Sequence, residues 1–156
     1  MSIEDHPLTT SEAAALCGIT EARLNKYIFC GLTPDVRRGR GCPAAYQFHH
    51  ILRLWLLVRL VGIGSRLEDA IPVANHSDVL GPLVSDRPVQ VFFPGGVPKL
   101  SGDPLRDPVL SIPYGDFPSE LVNFIAAHIR QEHGEAAAAA ALEGFQSALA
   151  AARARG

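Results

Sequence analysis

The stretch LTTSEAAALCGITEARLNKYIFCGLTPDVRRGRGCPAAYQFHHILRLWLLVRLVGIGSRLEDAI, Leu8 to Ile71, decides how this chain folds. Thr9, Thr10 or Ser11 can cap a first helix from Thr10 to Cys17, with Glu12 and three alanines as helix formers behind the cap. Gly18 ends that helix, because glycine tolerates the left-handed conformation that follows a helix end. After a Gly-Ile-Thr turn, Thr20 caps a second helix from Glu21 to Phe29. Leu24 and Ile28, four apart, turn inward with Ile19, which leaves Arg23 and Lys26 toward the other side. Pro34 stops any continuation, and Arg37 to Gly41 reads as a flexible cationic loop tip. Tyr46 reads as a core anchor ahead of a long apolar helix, His49 to Val61. That helix is apolar nearly all round, so it is buried on more than one side; its second partner is the rest of this chain or another copy. Gly62 and Gly64 break it, Ser65 caps a short turn from Arg66 to Ile71, and Pro72 closes the segment.

Charge is unevenly spread. The 156 residues carry a net charge of -2, yet Thr20 to Arg66 holds eight basic side chains against two acidic ones, Glu21 and Asp35. A basic block on an acidic chain is the footprint expected where one region meets phosphate. Arg37, Arg38 and Arg40 in the glycine-rich loop fit contact with a phosphate backbone, which positions a protein without reading sequence.

Beyond Asn75 the composition changes. Eight of the 12 prolines fall between Gly81 and Pro118. Two β-like runs, Val89 to Phe93 and Val109 to Ile112, predict a small two-stranded element. Leu121, Phe124, Ile125, His128 and Ile129 recur at helical spacing after a Pro118-Ser119-Glu120 start. Gly134 separates a last helix, Glu135 to Arg153, whose Ala138, Leu142, Phe145, Leu149 and Ala152 form a seam two heptads long. That seam serves either packing within the chain or dimerisation. The expected architecture is mainly α: a winged helix-turn-helix domain over 1–76, then a small α+β part over 77–156. The second part holds a Pro/Gly-rich β segment at 81–118 and helices over 118–154.

Several segments resemble the DNA-binding domain of the MerR family, a winged helix-turn-helix shared with phage excisionases and small terminase subunits. LTTSEAAALCGIT looks like the family's first helix and turn. LNKYIFCGLTP is similar to its run of leucine, arginine, an aromatic, tyrosine and Gly-Leu-Leu-x-Pro. AAYQFHHILRLWLLVRLVGIGSRLEDAI resembles its tyrosine, long helix and Gly-x-Ser-Leu-x-x-Ile. The resemblance implies a phosphate contact at Tyr27, whose ring can equally pack against Leu32, and places Arg37, Arg38 and Arg40 in the wing. Asn25 stands where the family commonly has arginine, and Ala44 where a wing arginine is usual. An asparagine amide suits the edge of adenine.

The expected contact set for double-stranded DNA is therefore Thr20, Arg23, Asn25, Lys26, Tyr27, Arg37, Arg38, Arg40 and Arg53, with Arg53 and His50 approaching phosphate from the long helix. The expected role is a sequence-specific transcription regulator acting as a homodimer, cytoplasmic and nucleoid-associated. The alternatives are a phage-derived architectural binder or a protein-interaction module. No catalytic set, cofactor or metal site is expected. Asp103, Asp107 and Asp116 suit turns better than acid/base work. His49 and His50, adjacent on a helix, point two ways, and His128 and His133 do not share a face. Cys17, Cys30 and Cys42 make no Cys-x-x-Cys pair and read as reduced thiols. Met1 to Pro7 is polar and acidic, unlike a signal peptide. Ile51 to Val61, interrupted by Arg53 and Arg59, is too short to span a bilayer.

Overall fold

Thr9 starts the first helix, α1 (Thr10–Leu16), by accepting from Glu12 N at 3.2 Å while the Glu12 carboxylate accepts from Thr9 N at 2.8 Å. This capping box satisfies two amide donors that a helix start leaves unmet. Gly18, at φ 69°, turns the chain. Thr20 then caps α2 (Glu21–Phe29) by accepting from Arg23 N at 3.2 Å. The computed structural model describes residues 1–36, 42–78, 81, 83 and 86–155.

Leu24 and Tyr27 are buried on α2 and Ile28 is half-buried. Positions i, i+3 and i+4 share one helical face. Tyr27, expected at a phosphate, is only 3 % exposed and belongs to the core. Once Leu24 sets the inner face, Tyr27 has no route to the outer one.

The long helix is α3 (Phe48–Gly62), with nine buried residues that reach round most of its circumference. Just before it, Tyr46 and Leu8 exchange both backbone hydrogen bonds, at 2.8 and 2.9 Å, which ties the N-terminal segment to the α3 approach. The short turn expected from Arg66 to Ile71 is instead a ten-residue helix, α4 (Leu67–His76), with Arg66 rather than Ser65 at its N-cap and Pro72 inside it. Proline within a helix costs about 3 kcal/mol. Here Pro72 is exposed while Ala70, Ile71, Val73 and Ala74 are buried, in a helix that packs on α3. Burial of Ile71 and Val73 alone, at about 1.5–3 kcal/mol each, offsets that loss.

The second half supplies a two-stranded antiparallel sheet, β1 (Val89–Phe92) and β2 (Val109–Ile112), in register Val89↔Ile112 to Phe92↔Val109. Two helices follow, α5 (Phe117–His133) and α6 (Glu135–Arg155), divided by Gly134 at φ 91° and packed on each other. This half covers the face of α3 that the first half leaves open. Trp55 of α3 stacks on Phe117 (centroids 5.5 Å, interplanar 21°) and meets Tyr114 at 5.3 Å; Phe48 meets Phe145 of α6 at 5.4 Å. The second partner of α3 is therefore the chain's own C-terminal part, and one hydrophobic core runs through both halves. Phe145, a seam residue, faces inward to that core.

Asn75, near the end of α4, holds the exit of α2. Its Oδ1 accepts from Thr33 N at 2.7 Å and its Nδ2 donates to Gly31 O at 2.8 Å. Thr33 has φ 42°, a left-handed conformation that costs a β-branched residue about 1–3 kcal/mol. Asn75→Ala is expected to lower the unfolding free energy by about 1–3 kcal/mol, because two partly buried backbone groups lose their partner. Urea denaturation checks this: the midpoint falls with an unchanged slope.

Candidate nucleic-acid interface

The outer face of α2 presents Arg23, Asn25 and Lys26, all exposed, with Thr20 exposed at the cap. Leu24 and Tyr27 anchor the opposite face. The helix thus offers a firmly seated polar surface with two cations and an amide. Phe29 completes it: the ring is 89 % exposed at the last position of α2. The contact set read from sequence omitted Phe29, although it lies three residues beyond Lys26 and four beyond Asn25, the spacing that puts it on their face. Arg37, Arg38 and Arg40 lie outside the described residues. Arg53 is half-buried, and its Nε is buried with no hydrogen-bond partner among the described residues. Of the expected set, the structure groups Thr20, Arg23, Asn25 and Lys26 on one exposed helix. It places Tyr27 in the core and Arg53 partly under cover on α3.

The two histidines at the start of α3 do not diverge. His50 Nε2 lies 2.8 Å and His49 Nε2 3.3 Å from the same Asp35 Oδ2, with ring centroids 3.9 Å apart. The expectation that they point two ways fails because Asp35, just past Pro34, comes within reach of both rings. These three side chains lie close enough to hold a metal ion, as do His6, His128 and Glu132. His50 Nδ1 accepts from Gln47 N at 3.0 Å, so the proton of the neutral ring sits on Nε2 and is donated to Asp35. His50 thereby satisfies an amide at the N-terminus of α3, where a cation would oppose the helix dipole.

Burial pushes the His50 pKa below its ordinary 6.5, against the raising effect of Asp35; His49 and Arg53 nearby also lower it. Burial works to raise Asp35, but hydrogen bonds from His50 and His49 outweigh it and hold the carboxyl down to about 2. The folded state resists protonation of His50 more than the unfolded chain does. Its contribution to stability is therefore complete above about 6.5 and lost as pH falls below that value. The Asp35 contribution persists to lower pH, complete above about 3.8 and lost as pH falls toward about 2. Thermal melts across pH are expected to show the first loss beginning near 6.5, and His50→Gln is expected to flatten that part of the curve. An unchanged slope in the variant would assign the loss to other groups.

Other chemistry reads as local structure. Asp103 Oδ1 accepts from Leu105 N at 2.9 Å and Asp107 Oδ2 from Asp103 N at 2.8 Å, the side-chain bonding of turns. Burial pushes the Cys17 thiol up to about 12, which leaves it unreactive. Among the described residues no helix is long and apolar enough to cross a membrane. No protein-family model, curated protein or solved structure matches this chain.

Proposed function

We propose that the protein binds double-stranded DNA through α2, as a winged helix-turn-helix transcription regulator acting as a homodimer. One observation carries this reading: Arg23, Asn25, Lys26 and Phe29 are exposed on a helix whose inner face is locked by Leu24 and Tyr27. An exposed, rigid helix of this composition suits the major groove. Arginine and lysine pair with guanine, an asparagine amide with adenine, and a phenylalanine ring with the thymine methyl. Thr20, by capping α2, fixes the approach of its first turn, and Arg37, Arg38 and Arg40 add sequence-independent phosphate contact. One such helix reads few base pairs, so useful specificity needs two copies on half-sites about 34–36 Å apart.

Fluorescence anisotropy of the full chain against a pool of duplexes, with selection of retained sequences, tests the proposal. Saturable binding that weakens steeply with salt, and enrichment of a two-part site, are expected. No retention at low salt would remove DNA from the account. A protein-interaction role for α2 is the second reading, favoured by the exposed Phe29, since aromatic anchors dominate protein interfaces. A stable protein complex lost on Phe29→Ala, with no DNA retained, would establish it instead.

A further inference from the structure

We propose that His6, His128 and Glu132 form a site for a divalent transition-metal ion of the zinc class, which fastens the N-terminal segment to α5. One ligand-capable atom of each residue lies within 4.8 Å of those of the other two. Bonds of about 2.0–2.2 Å to zinc place tetrahedral ligands roughly 3.3 Å apart, so closure needs side-chain movements of at most about 1 Å. Glu132 is exposed and flexible enough to make them.

The independent pointer is His6. Its side chain is 2 % exposed, and its Nδ1 is buried with no hydrogen-bond partner among the described residues. An unmet buried nitrogen is costly, and native folds rarely leave one without a purpose. A bound cation makes use of it.

The surroundings suit an ion as well. His128 and Glu132 are four apart on α5, so they share one face one turn from each other. Glu12 Oε1 stands 3.3 Å from His128 Nε2, and the other Glu12 oxygen is held by Thr9 N at 2.8 Å. With Nδ1 of His128 as the ligating atom, that carboxylate would stand on the far nitrogen, the usual outer support of a metal-ligating histidine. His133 Nε2 also stands near the set, 3.7 Å from Glu132 Oε2. Two imidazoles and a carboxylate favour zinc over calcium or magnesium, which prefer oxygen alone. The Asp35, His49 and His50 cluster is a weaker candidate, because Asp35 is already engaged by both rings.

The site joins three parts of the chain: the segment before Leu8, the capping box of α1, and α5. Binding to the folded state alone raises its stability with ion concentration. Isothermal titration of the chelator-treated full chain with zinc chloride is expected to give one ion per chain, and thermal melts with and without zinc a higher Tm for the loaded form. His128→Gln and Glu132→Gln should each weaken binding about tenfold or more, while His49→Gln leaves it unchanged. His6 is buried, so the two α5 variants, with folding checked by circular dichroism, carry the test. Cobalt in place of zinc should give a tetrahedral spectrum without thiolate charge-transfer bands, which excludes Cys17, Cys30 and Cys42. Absence of binding, binding indifferent to both α5 variants, or a thiolate spectrum would each overturn the proposal.

Discussion

Trp55→Ala is expected to lower the unfolding free energy by about 3–5 kcal/mol, the range for truncating a buried aromatic. Trp55 is 6 % exposed and touches both halves of the chain: it lies along α3 and stacks on Phe117 at the start of α5, with Tyr114 beside it. Aromatic pairs of this kind add about 0.5–1.5 kcal/mol each beyond the area they bury. The Arg59 guanidinium sits 5.1 Å from the ring centroid and loses its partner as well. Domains of this size are stable by about 5–15 kcal/mol, so the loss is a large fraction of the total. Trp55 is the chain's single tryptophan, so its fluorescence reports the junction directly. In the wild type, unfolding followed by fluorescence and by far-ultraviolet circular dichroism should coincide, because one core serves both halves. Trp55→Phe, which keeps a ring in the stack, should recover most of the loss. A cost under about 1 kcal/mol for the alanine variant would mean that the halves do not depend on this junction.

Local rules placed the first two helices well and failed where distant residues meet. The Thr9–Ser11 cap candidates, Gly18 and the Thr20 cap are signals within a few residues, and they place α1 and α2 to within a residue; that Thr9 forms a capping box with Glu12 is a finding of the structure. Gly134 and the two β-like runs were equally local. Pro72 misled because a proline is a strong local stop, whereas burial of Ile71 and Val73 is a tertiary gain that no local rule counts. Tyr27 leaves two readings open in the sequence, a phosphate contact by resemblance and packing against Leu32; it lies on the inward stripe of Leu24 and Ile28, and its burial favours the core. The convergence of His49 and His50 needs the chain reversal that brings Asp35 to them. The grouping of His6 with His128 and Glu132 depends on α5 lying beside the N-terminal segment. Helical spacing alone could have paired His128 with Glu132, but nothing local supplies the third ligand.

The second large effect concerns α2. If that helix reads base edges, Arg23→Ala and Lys26→Ala should each weaken binding to a preferred duplex by about 1–3 kcal/mol, several-fold to roughly a hundredfold. Both side chains are exposed and the helix beneath them is anchored by Leu24 and Tyr27, so truncation removes contacts without disturbing the fold. The decisive measurement compares a preferred with an unrelated duplex at several salt concentrations. Loss of a base contact lowers affinity for the preferred sequence and narrows the gap between the two. Loss of a phosphate contact lowers both alike and reduces the salt dependence by about one counterion per charge removed. Alanine in place of Arg37, Arg38 and Arg40 should give the second pattern, so the two sets of variants separate reading from holding. Arg23 also lies beside the Thr20 cap through its amide alone, so its side chain can be removed while the cap remains. If the double α2 variant binds every duplex as tightly as the wild type, the exposed face serves a protein partner, and Phe29 becomes the residue to follow.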